Sequence, residues 1–297
     1  ILNCPLDVFG QYRVLSTDIF GPSYYRFRNI YAVMGGYMGK QVVQYVHKED
    51  FRRRVHACST IKTKEECLDL PEVMHISRFA PLTPSQSKYY KMLKERMTMV
   101  AAGEEVSAVN AATNINKLLQ ISGGAVYSDT GEVVEFDVSN RLKVVQEVID
   151  EASHKVLVFV PFTHTIELLR EYLQKHHITC DVINGKVPVN RRHEIINDFQ
   201  TTDKTRVLII QPQAASHGVT LTAADTVVWW GPTASLETYA QANARAHRAG
   251  LKHPVTVIRL QGSFAERHVY KMLDGRSDIH SKMIDLYKNL LDYTNTC

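Results

Sequence analysis

The chain of 297 residues has little cysteine, and its cysteine has no pattern. Cys4, Cys58, Cys67, Cys180 and Cys297 are scattered, odd in number and contain no Cys-x-x-Cys pair. That excludes a disulfide framework and a cysteine zinc site, and reads as the reduced thiols of an intracellular protein. No apolar run approaches the roughly 18 residues of a membrane helix, and no signal peptide opens the chain. Charge of one sign is also scarce. A formal net charge of +4 is too mild to demand a nucleic-acid partner and does not oppose one. Most telling, there is no Gly-x-x-x-x-Gly-Lys-Ser/Thr loop and no acidic metal-binding motif of the Asp-Glu-x-His kind. A phosphate cradle and a magnesium carboxylate are therefore absent. Gly35-Gly36 and Gly123-Gly124 are not followed by Lys-Ser/Thr and read as turns.

What is present is an ordinary globular composition, 44% hydrophobic and 22% charged, on a chain long enough for about two domains. From Lys155 onward, short apolar runs alternate with amphipathic segments. "KVLVFVPF" reads as a strand buried on both faces, followed by the helix "THTIELLREYLQKHH" capped by Thr163 or Thr165. The alternation continues through "TCDVI" and "VNRRHEIINDFQ", "TRVLIIQ" and "PQAASHGVTLTAA", "DTVVWWG" and "SLETYAQANARAHRAG", and "PVTVIRLQ" and "SFAERHVYKML". Five strands alternating with helices predict a parallel α/β sheet over 155–297 with helices on both faces. Residues 1–154 read instead as a mostly helical region. Its helices lie in "CPLDVFGQYRVLS", "QSKYYKMLKERMTMVAAG", "NAATNINKLLQIS" and "NRLKVVQEVIDEAS". "GGYMGKQVVQYV" reads as irregular, and "GAVYSDTGEVVEF" as a hairpin turning at Asp129-Thr130-Gly131.

Open α/β sheets gather ligands at the carboxyl ends of their strands. Three segments sit there, and each has two readings. "SLETYAQANARAHRAG" (235–250) spaces Gln241, Arg245 and Arg248 by four and three, one face of a helix. They are either a solvated basic stripe or donors aimed at an anion. "INGKVPVNRRHEIINDF" ends a strand at Asn184-Gly185 and opens a helix bearing Arg191 and Arg192. It is either a turn with solvated charges or a grip on nucleic-acid phosphates. The loop "AASHGVTLTAAD" (214–225) is either plain surface or, being rich in small residues, a close backbone approach to a ligand. Weaker candidates have plainer readings beside them. Trp229-Trp230 either stacks on a base or places one ring on each side of a buried sheet. The basic stretch 52–64 either tracks a DNA backbone or is a solvated face. His176-His177 reads as exposed at a helix end.

Taken in order, "KVLVFVPF", "INGKV…RR…INDF", "VLIIQPQAASHGVTLTAADTVVWWG" and "QANARAHRAG" resemble the second motor lobe of superfamily-two helicases. More closely they resemble Swi/Snf-type DNA translocases, bacterial or phage-like members in particular. Upstream, "ILNCPLDVFGQYRVLS" is similar to the sequence that follows the Gly-Thr-Pro motif closing the first lobe. "FRRRVHACST…LDLPEVMHISRFAPLTPSQSKYYKML" is similar to that family's Arg-rich, Leu-Pro and Leu-Thr-Pro-Ser-Gln stretch. The resemblance implies a RecA-like helicase C-terminal lobe over 155–297, preceded over 1–154 by the end of the first lobe and a helical insertion or linker.

It further implies that Arg248 is a finger arginine, Arg245 a second nucleotide-facing arginine and Gln241 a positioning residue. Gly218 and Thr220 lie at the nucleotide, and Asn184, Gly185, Arg191, Arg192 and Ser216 at the nucleic acid. The implied cofactor is ATP with Mg2+, held mainly by the first RecA-like lobe of the same polypeptide. The implied partner is double-stranded DNA, with no membrane, in the cytoplasm of a bacterium or phage-infected host. No resident metal site is expected here. The chain departs from the family where Ala215-Ser216 replaces a Gly-Gly pair, Thr220 an Asn and Leu251 a Gln, while Gly218 and "LTAAD" are retained. With Ile1 in first place, the chain is expected to be the carboxyl-terminal half of a motor and inactive alone. The alternative is a non-catalytic nucleic-acid-binding or scaffold module on a helicase-like fold, which the altered loop favours.

Overall fold

A computed structural model describes residues 5–35, 39, 41–60, 64–103, 108–127, 132–216, 219–251 and 253–274. Contacts divide the chain into two compact units, Ile1–Asp69 and Leu70–Cys297.

The first unit contains α1 (Val8–Leu15), α2 (Thr17–Phe20), α3 (Tyr24–Tyr31), a hairpin of β1 (Ala32–Gly35) and β2 (Gln41–Tyr45), then α4 (Lys48–Ala57) and α5 (Lys64–Cys67). Ser16 and Ser23 start the second and third helices, their hydroxyls accepting from Asp18 N and Arg26 N. The core is aromatic: Phe9, Tyr12, Phe20, Phe27 and Tyr31 are buried together, and Phe51 stacks on Phe20 at 5.6 Å. "GGYMGKQVVQYV", expected to be irregular, supplies strand β2 because β-branched Val42 and Val43 suit a pleated surface better than a loop. In the basic stretch, Arg52 pairs with Glu49 at 3.2 Å, and Arg53 and Arg54 pair with Asp50 at 2.5 and 2.9 Å. Three of its cations are thus bound to acids of their own helix. Residues 61–63 of that stretch lie outside the described residues. Asp50 also accepts from the Tyr31 hydroxyl at 2.6 Å. That bond, followed by the two arginines, holds its carboxyl well below the usual range. Burial, reinforced by Asp50, pushes Tyr31 up to about 12.

The second unit is built on a six-stranded, all-parallel sheet, one strand more than the alternation predicted. Its elements are β3 (Val73–Phe79), α6 (Pro84–Gly103), α7 (Ala108–Gly123), the hairpin β4 (Ala125–Tyr127) and β5 (Val133–Glu135), α8 (Ser139–Glu151), β6 (Lys155–Phe159), α9 (Thr163–Lys175), β7 (Cys180–Ile183), α10 (Val189–Thr201), β8 (Val207–Ile210), β9 (Ala224–Trp229), α11 (Leu236–Ala246), β10 (Val255–Gln261) and α12 (Phe264–Asp274). The order across the sheet is β3-β10-β9-β6-β8-β7. The additional strand comes from upstream of Lys155: Val73–Phe79 runs beside β10, Val255 opposite Val73 through Gln261 opposite Phe79. It escapes a pattern reading because an edge strand is half exposed and its "VMHISRF" lacks a continuous apolar run. The boundary expected at 154/155 thus falls inside this unit, which begins at Leu70.

Val156, Leu157, Val158 and Phe159 are fully buried, the signature of a central parallel strand covered on both faces. Trp229 packs into one core layer and Trp230 into the other, both 0% exposed, so the pair faces opposite sides of the sheet and does not offer a stacking platform. Neither threonine caps α9. Phe162 occupies the cap position without a side-chain bond, and Thr165 is buried with its hydroxyl unpartnered. His176 and His177 are exposed at the end of that helix, as expected. The strands of the "GAVYSDTGEVVEF" hairpin pair as β4 and β5, while its turn at 129–131 lies outside the described residues.

Candidate functional site

The carboxyl ends of β7, β8 and β9 open onto three neighbouring segments: the turn at 184–187, a 3-10 turn at Pro212–Ser216 with the chain leading to Leu221, and α11. Ser235 starts α11, its hydroxyl accepting from Thr238 N at 3.1 Å. Tyr239, Ala242 and Ala246 form the buried stripe. Glu237, Gln241 and Arg245, four residues apart, form a partly exposed row in which Gln241 Nε2 donates to Glu237 Oε1 at 2.9 Å. Arg245 Nε donates to the carbonyl of Ala215 at 3.0 Å, and the Arg245 carbonyl accepts from Leu221 N at 2.9 Å. The first bond ties the helix to the 3-10 turn and the second ties it to the chain beyond that turn, although Ala215-Ser216 stands where a Gly-Gly pair was expected.

Arg248 is not on the helix. The last helical residue is Ala246 with His247 as its cap, which corrects the single-face reading of Gln241, Arg245 and Arg248. The chain turns away because Leu251 is buried and Gly250 supplies the left-handed step at φ +92°. His247 holds the turn by bonding the Pro71 carbonyl at 2.9 Å. Arg248 nonetheless reaches the same segment as Arg245, its Nη1 donating to Thr220 Oγ1 at 3.2 Å. Arg248 is exposed, and among the described residues no carboxylate forms an ion pair with it. Gly218 and the side chain of Ser216 lie outside the described residues.

In the second segment, Asn184 is buried, its Oδ1 accepting from Lys186 N at 3.0 Å, while Gly185 N donates to Gln211 Oε1 at 3.3 Å. Arg192 donates inward, from Nε to the Val187 carbonyl at 2.8 Å and from Nη2 to the Asn184 carbonyl at 3.1 Å. These amides and this guanidinium brace the turn itself. The exposed cations are Lys186 and Arg191, the latter paired with Glu194 at 2.8 Å, a contact that also raises its guanidinium pKa. An apolar cavity of about 80 Å³ lies under this turn, between Ile183, Ile196, Ile210, Ala214 and Val219.

Two buried polar groups behind the site are absent from the sequence reading. Arg141 and Glu266, with side chains 3% and 1% exposed, form an ion pair at 2.8 Å. Arg141 Nη1 also donates to the Trp230 carbonyl, at the exit of β9 toward α11. Glu266 Oε2 accepts from Arg141 Nη2 at 2.9 Å, Gly262 N at 2.8 Å and Ser263 N at 3.1 Å. Its Oε1 is close to Arg141 without hydrogen-bond alignment and is held by charge alone. The signal for Glu266 is in the sequence as Ser263-Phe-Ala-Glu266, a capping box whose reciprocal bond runs from Glu266 N to Ser263 Oγ at 3.3 Å. The second group is Gln86 of "LTPSQ". Its Oε1 accepts from Thr83 N at 3.1 Å and its Nε2 donates to the carbonyls of Ile121 and Ser122 at 2.8 and 3.0 Å, joining the start of α6 to the end of α7.

Beneath α11, Arg259 is buried against the rings of Tyr239 and Tyr270 at 5.4 and 5.5 Å and gripped by Asp274 at 2.8 and 2.6 Å. Burial alone would lower its pKa, but the Asp274 carboxylate and the Tyr239 oxygen more than offset that and raise it. Burial raises the Tyr239 hydroxyl, with Arg259 and Asn243 offsetting part of the rise.

This arrangement has counterparts among known proteins. Residues 140–250 match the helicase conserved C-terminal domain. Mouse "Chromatin-remodeling ATPase INO80" is 32% identical over 167 residues, 54% of this chain and 10% of that protein. Zebrafish "Chromodomain-helicase-DNA-binding protein 1-like" is 27% identical over 208 residues, 67% of this chain and 20% of that protein. Among solved structures, the C-terminal part of the Fun30 ATPase domain superposes with a TM-score of 0.59 at 16% identity, covering 76% of this chain and 99% of that one. The Sulfolobus solfataricus SWI2/SNF2 ATPase core in complex with dsDNA superposes with a TM-score of 0.57 at 20% identity, covering 94% of this chain and 59% of that one.

The parallel sheet with its flanking helices has the fold of a RecA-like helicase C-terminal lobe. The match to the helicase conserved C-terminal domain falls within this unit, and the matched part of the chain spans a tenth to a fifth of the length of the two curated relatives. The named organisms are animals and an archaeon and give no support to a bacterial or phage-like origin.

Proposed function

We propose that this chain is the carboxyl-terminal part of a Swi/Snf-type, ATP-dependent translocase of duplex DNA. One observation carries the proposal: Arg248 is exposed, held by the Thr220 hydroxyl and unneutralised by any carboxylate among the described residues, while Arg245 bonds Ala215 of the same segment. A cation held by a neutral hydroxyl oxygen, as Arg248 is, keeps its charge for an external anion. A forked guanidinium suits the oxygens of a phosphoryl group. The donor set of Gln241, Arg245, Thr220 and Arg248 fits the triphosphate end of a nucleotide. ATP with Mg2+ would then be cradled mainly by a first RecA-like lobe, since this sequence has no lysine-bearing phosphate loop.

With the nucleotide bound across the cleft, ATP supplies the phosphoryl-transfer chemistry. The role of these residues is electrostatic: Arg248 and Arg245 stabilise charge on the γ-phosphoryl oxygens when the lobes close. Arg192 pre-forms the turn at Asn184-Gly185 from within, and Lys186 and Arg191 face the phosphates of DNA. Gly218 and Ser216 keep the roles that the resemblance gives them, at nucleotide and nucleic acid. Retention of Gln241, Arg245 and Arg248 together favours the motor over the scaffold alternative.

The purified chain alone is expected to show no DNA-stimulated ATP hydrolysis above background, measured by phosphate release. Robust turnover would reveal a nucleotide site in this chain and overturn the division of labour. Its binding to labelled duplex DNA is expected to weaken steeply with salt. Arg191→Ala should reduce the slope of log affinity against log salt by about one. Binding independent of salt, or none at low salt, would remove the DNA track from this face.

A further inference from the structure

We infer that Asn243 is a positioning residue that sets the rotation of α11 about its axis and thereby aims Gln241 and Arg245. This rests on the nucleotide-facing reading above and extends it to the inward side of the helix. Asn243 is two residues from both Gln241 and Arg245, about 200° around a helix of 3.6 residues per turn, so it points away from the face they form. There it accepts a hydrogen bond from Trp229 Nε1 at 3.0 Å.

Trp229 is fully buried in β9, a strand of the sheet interior flanked by β6 and β10. An indole has one donor and no acceptor, and a buried N–H left unpaired is costly. The bond to Asn243 is therefore a requirement at this place. One turn earlier Tyr239 packs its ring 4.7 Å from that of Trp229, and its hydroxyl accepts from Arg259 Nε at 2.9 Å. Arg259 is itself immobilised by Asp274. The rest of the buried stripe is Ala242 and Ala246, whose single methyl groups have no directional preference. On its inward side, rotation of the helix is thus restrained by two hydrogen bonds anchored in the sheet. The outward guanidinium of Arg245 lies at the end of a long lever, and a misplacement of about 1 Å in an active site costs on the order of a hundredfold in rate.

The test is steady-state ATP hydrolysis by the complete polypeptide, upstream lobe included, with saturating duplex DNA. Asn243→Leu removes the acceptor at similar volume, Trp229→Phe removes the donor, and Asn243→Asp keeps an acceptor oxygen. The first two are expected to lower kcat by about ten- to a hundredfold while KM for ATP moves by less than about threefold, and Asn243→Asp is expected to stay within about threefold of the parent. Thermal melts identify any variant unfolded at the assay temperature. Donor and acceptor are removed from different elements, so either folded variant decides.

Parental turnover in Asn243→Leu, an Asn243→Asp as slow as Asn243→Leu, or a loss confined to KM would overturn the inference. Arg248→Ala is measured alongside. Normal turnover in it defeats the nucleotide-facing reading, whereas a slow Arg248→Ala beside a normal Asn243→Leu defeats the positioning role alone.

Discussion

Arg248→Ala in the complete polypeptide is expected to lower the ATP turnover number by on the order of a thousandfold or more, about 4 kcal/mol of barrier, with a much smaller change in ATP affinity. The split follows from where the charge develops. A guanidinium supplied from across a cleft meets the phosphoryl oxygens fully only in the closed, reacting state, so its loss is felt in kcat before binding. Two features of the structure are compatible with the proposed role: the turn that lifts Arg248 off the end of α11, and the neutral hydroxyl of Thr220 that steadies it. Arg248→Lys should recover little, because an ammonium cannot reproduce two parallel donors. A solvated arginine with no such role would change activity and stability by no more than about 0.5 kcal/mol. Steady-state kinetics at saturating ATP and DNA separates the outcomes by orders of magnitude. Near-normal turnover in Arg248→Ala would return this segment to a solvated basic stripe.

Glu266→Gln is expected to cost the second unit about 3–5 kcal/mol of stability, the range for breaking one partner of a buried ion pair. The glutamine amide keeps the volume and an acceptor for Gly262 N and Ser263 N. The loss therefore isolates the charge left on Arg141, which is 3% exposed and also bonded to the Trp230 carbonyl. For a unit of roughly this size each kcal/mol shifts Tm by about 2–4 °C, giving an expected drop of roughly 6–20 °C. Urea unfolding followed by tryptophan fluorescence reports the change directly, since Trp229 and Trp230 are both buried in this unit. A shift of the midpoint worth less than about 1 kcal/mol would show that the pair is a bystander.

The face of the site was more legible than its support. Small residues in "AASHGVTLTAAD" and the four-residue step from Gln241 to Arg245 are local patterns, and local patterns survive in sequence. The end of α11 did not, because a periodic count continues through Arg248. What stops the helix is burial of Leu251 and the left-handed Gly250, a competition between core packing and helix propagation. Arg192 reads as a free cation beside Arg191, yet its donors are spent on carbonyls of its own turn. Likewise nothing in "VMHISRF" announces a strand of the main sheet, since its partner Val255–Gln261 lies some 180 residues downstream along the chain.

By itself the sequence determined the elements whose cause is local. These are the apolar runs of β6, β8 and β9, the amphipathic helices between them, the capping box at Ser263-Glu266 and the absence of a lysine phosphate loop. Periodicity, propensity and capping each act within a few residues, so each can be read without knowing the fold. Only the tertiary structure decided which charges are spent and which remain. Arg141, Arg192 and Arg259 turn inward to Glu266, to the Asn184 turn and to Asp274, whereas Arg248 keeps an exposed guanidinium beside Thr220. The difference is one of environment: a buried guanidinium must find oxygen acceptors within the protein, and the chain supplies them from sequence-distant segments.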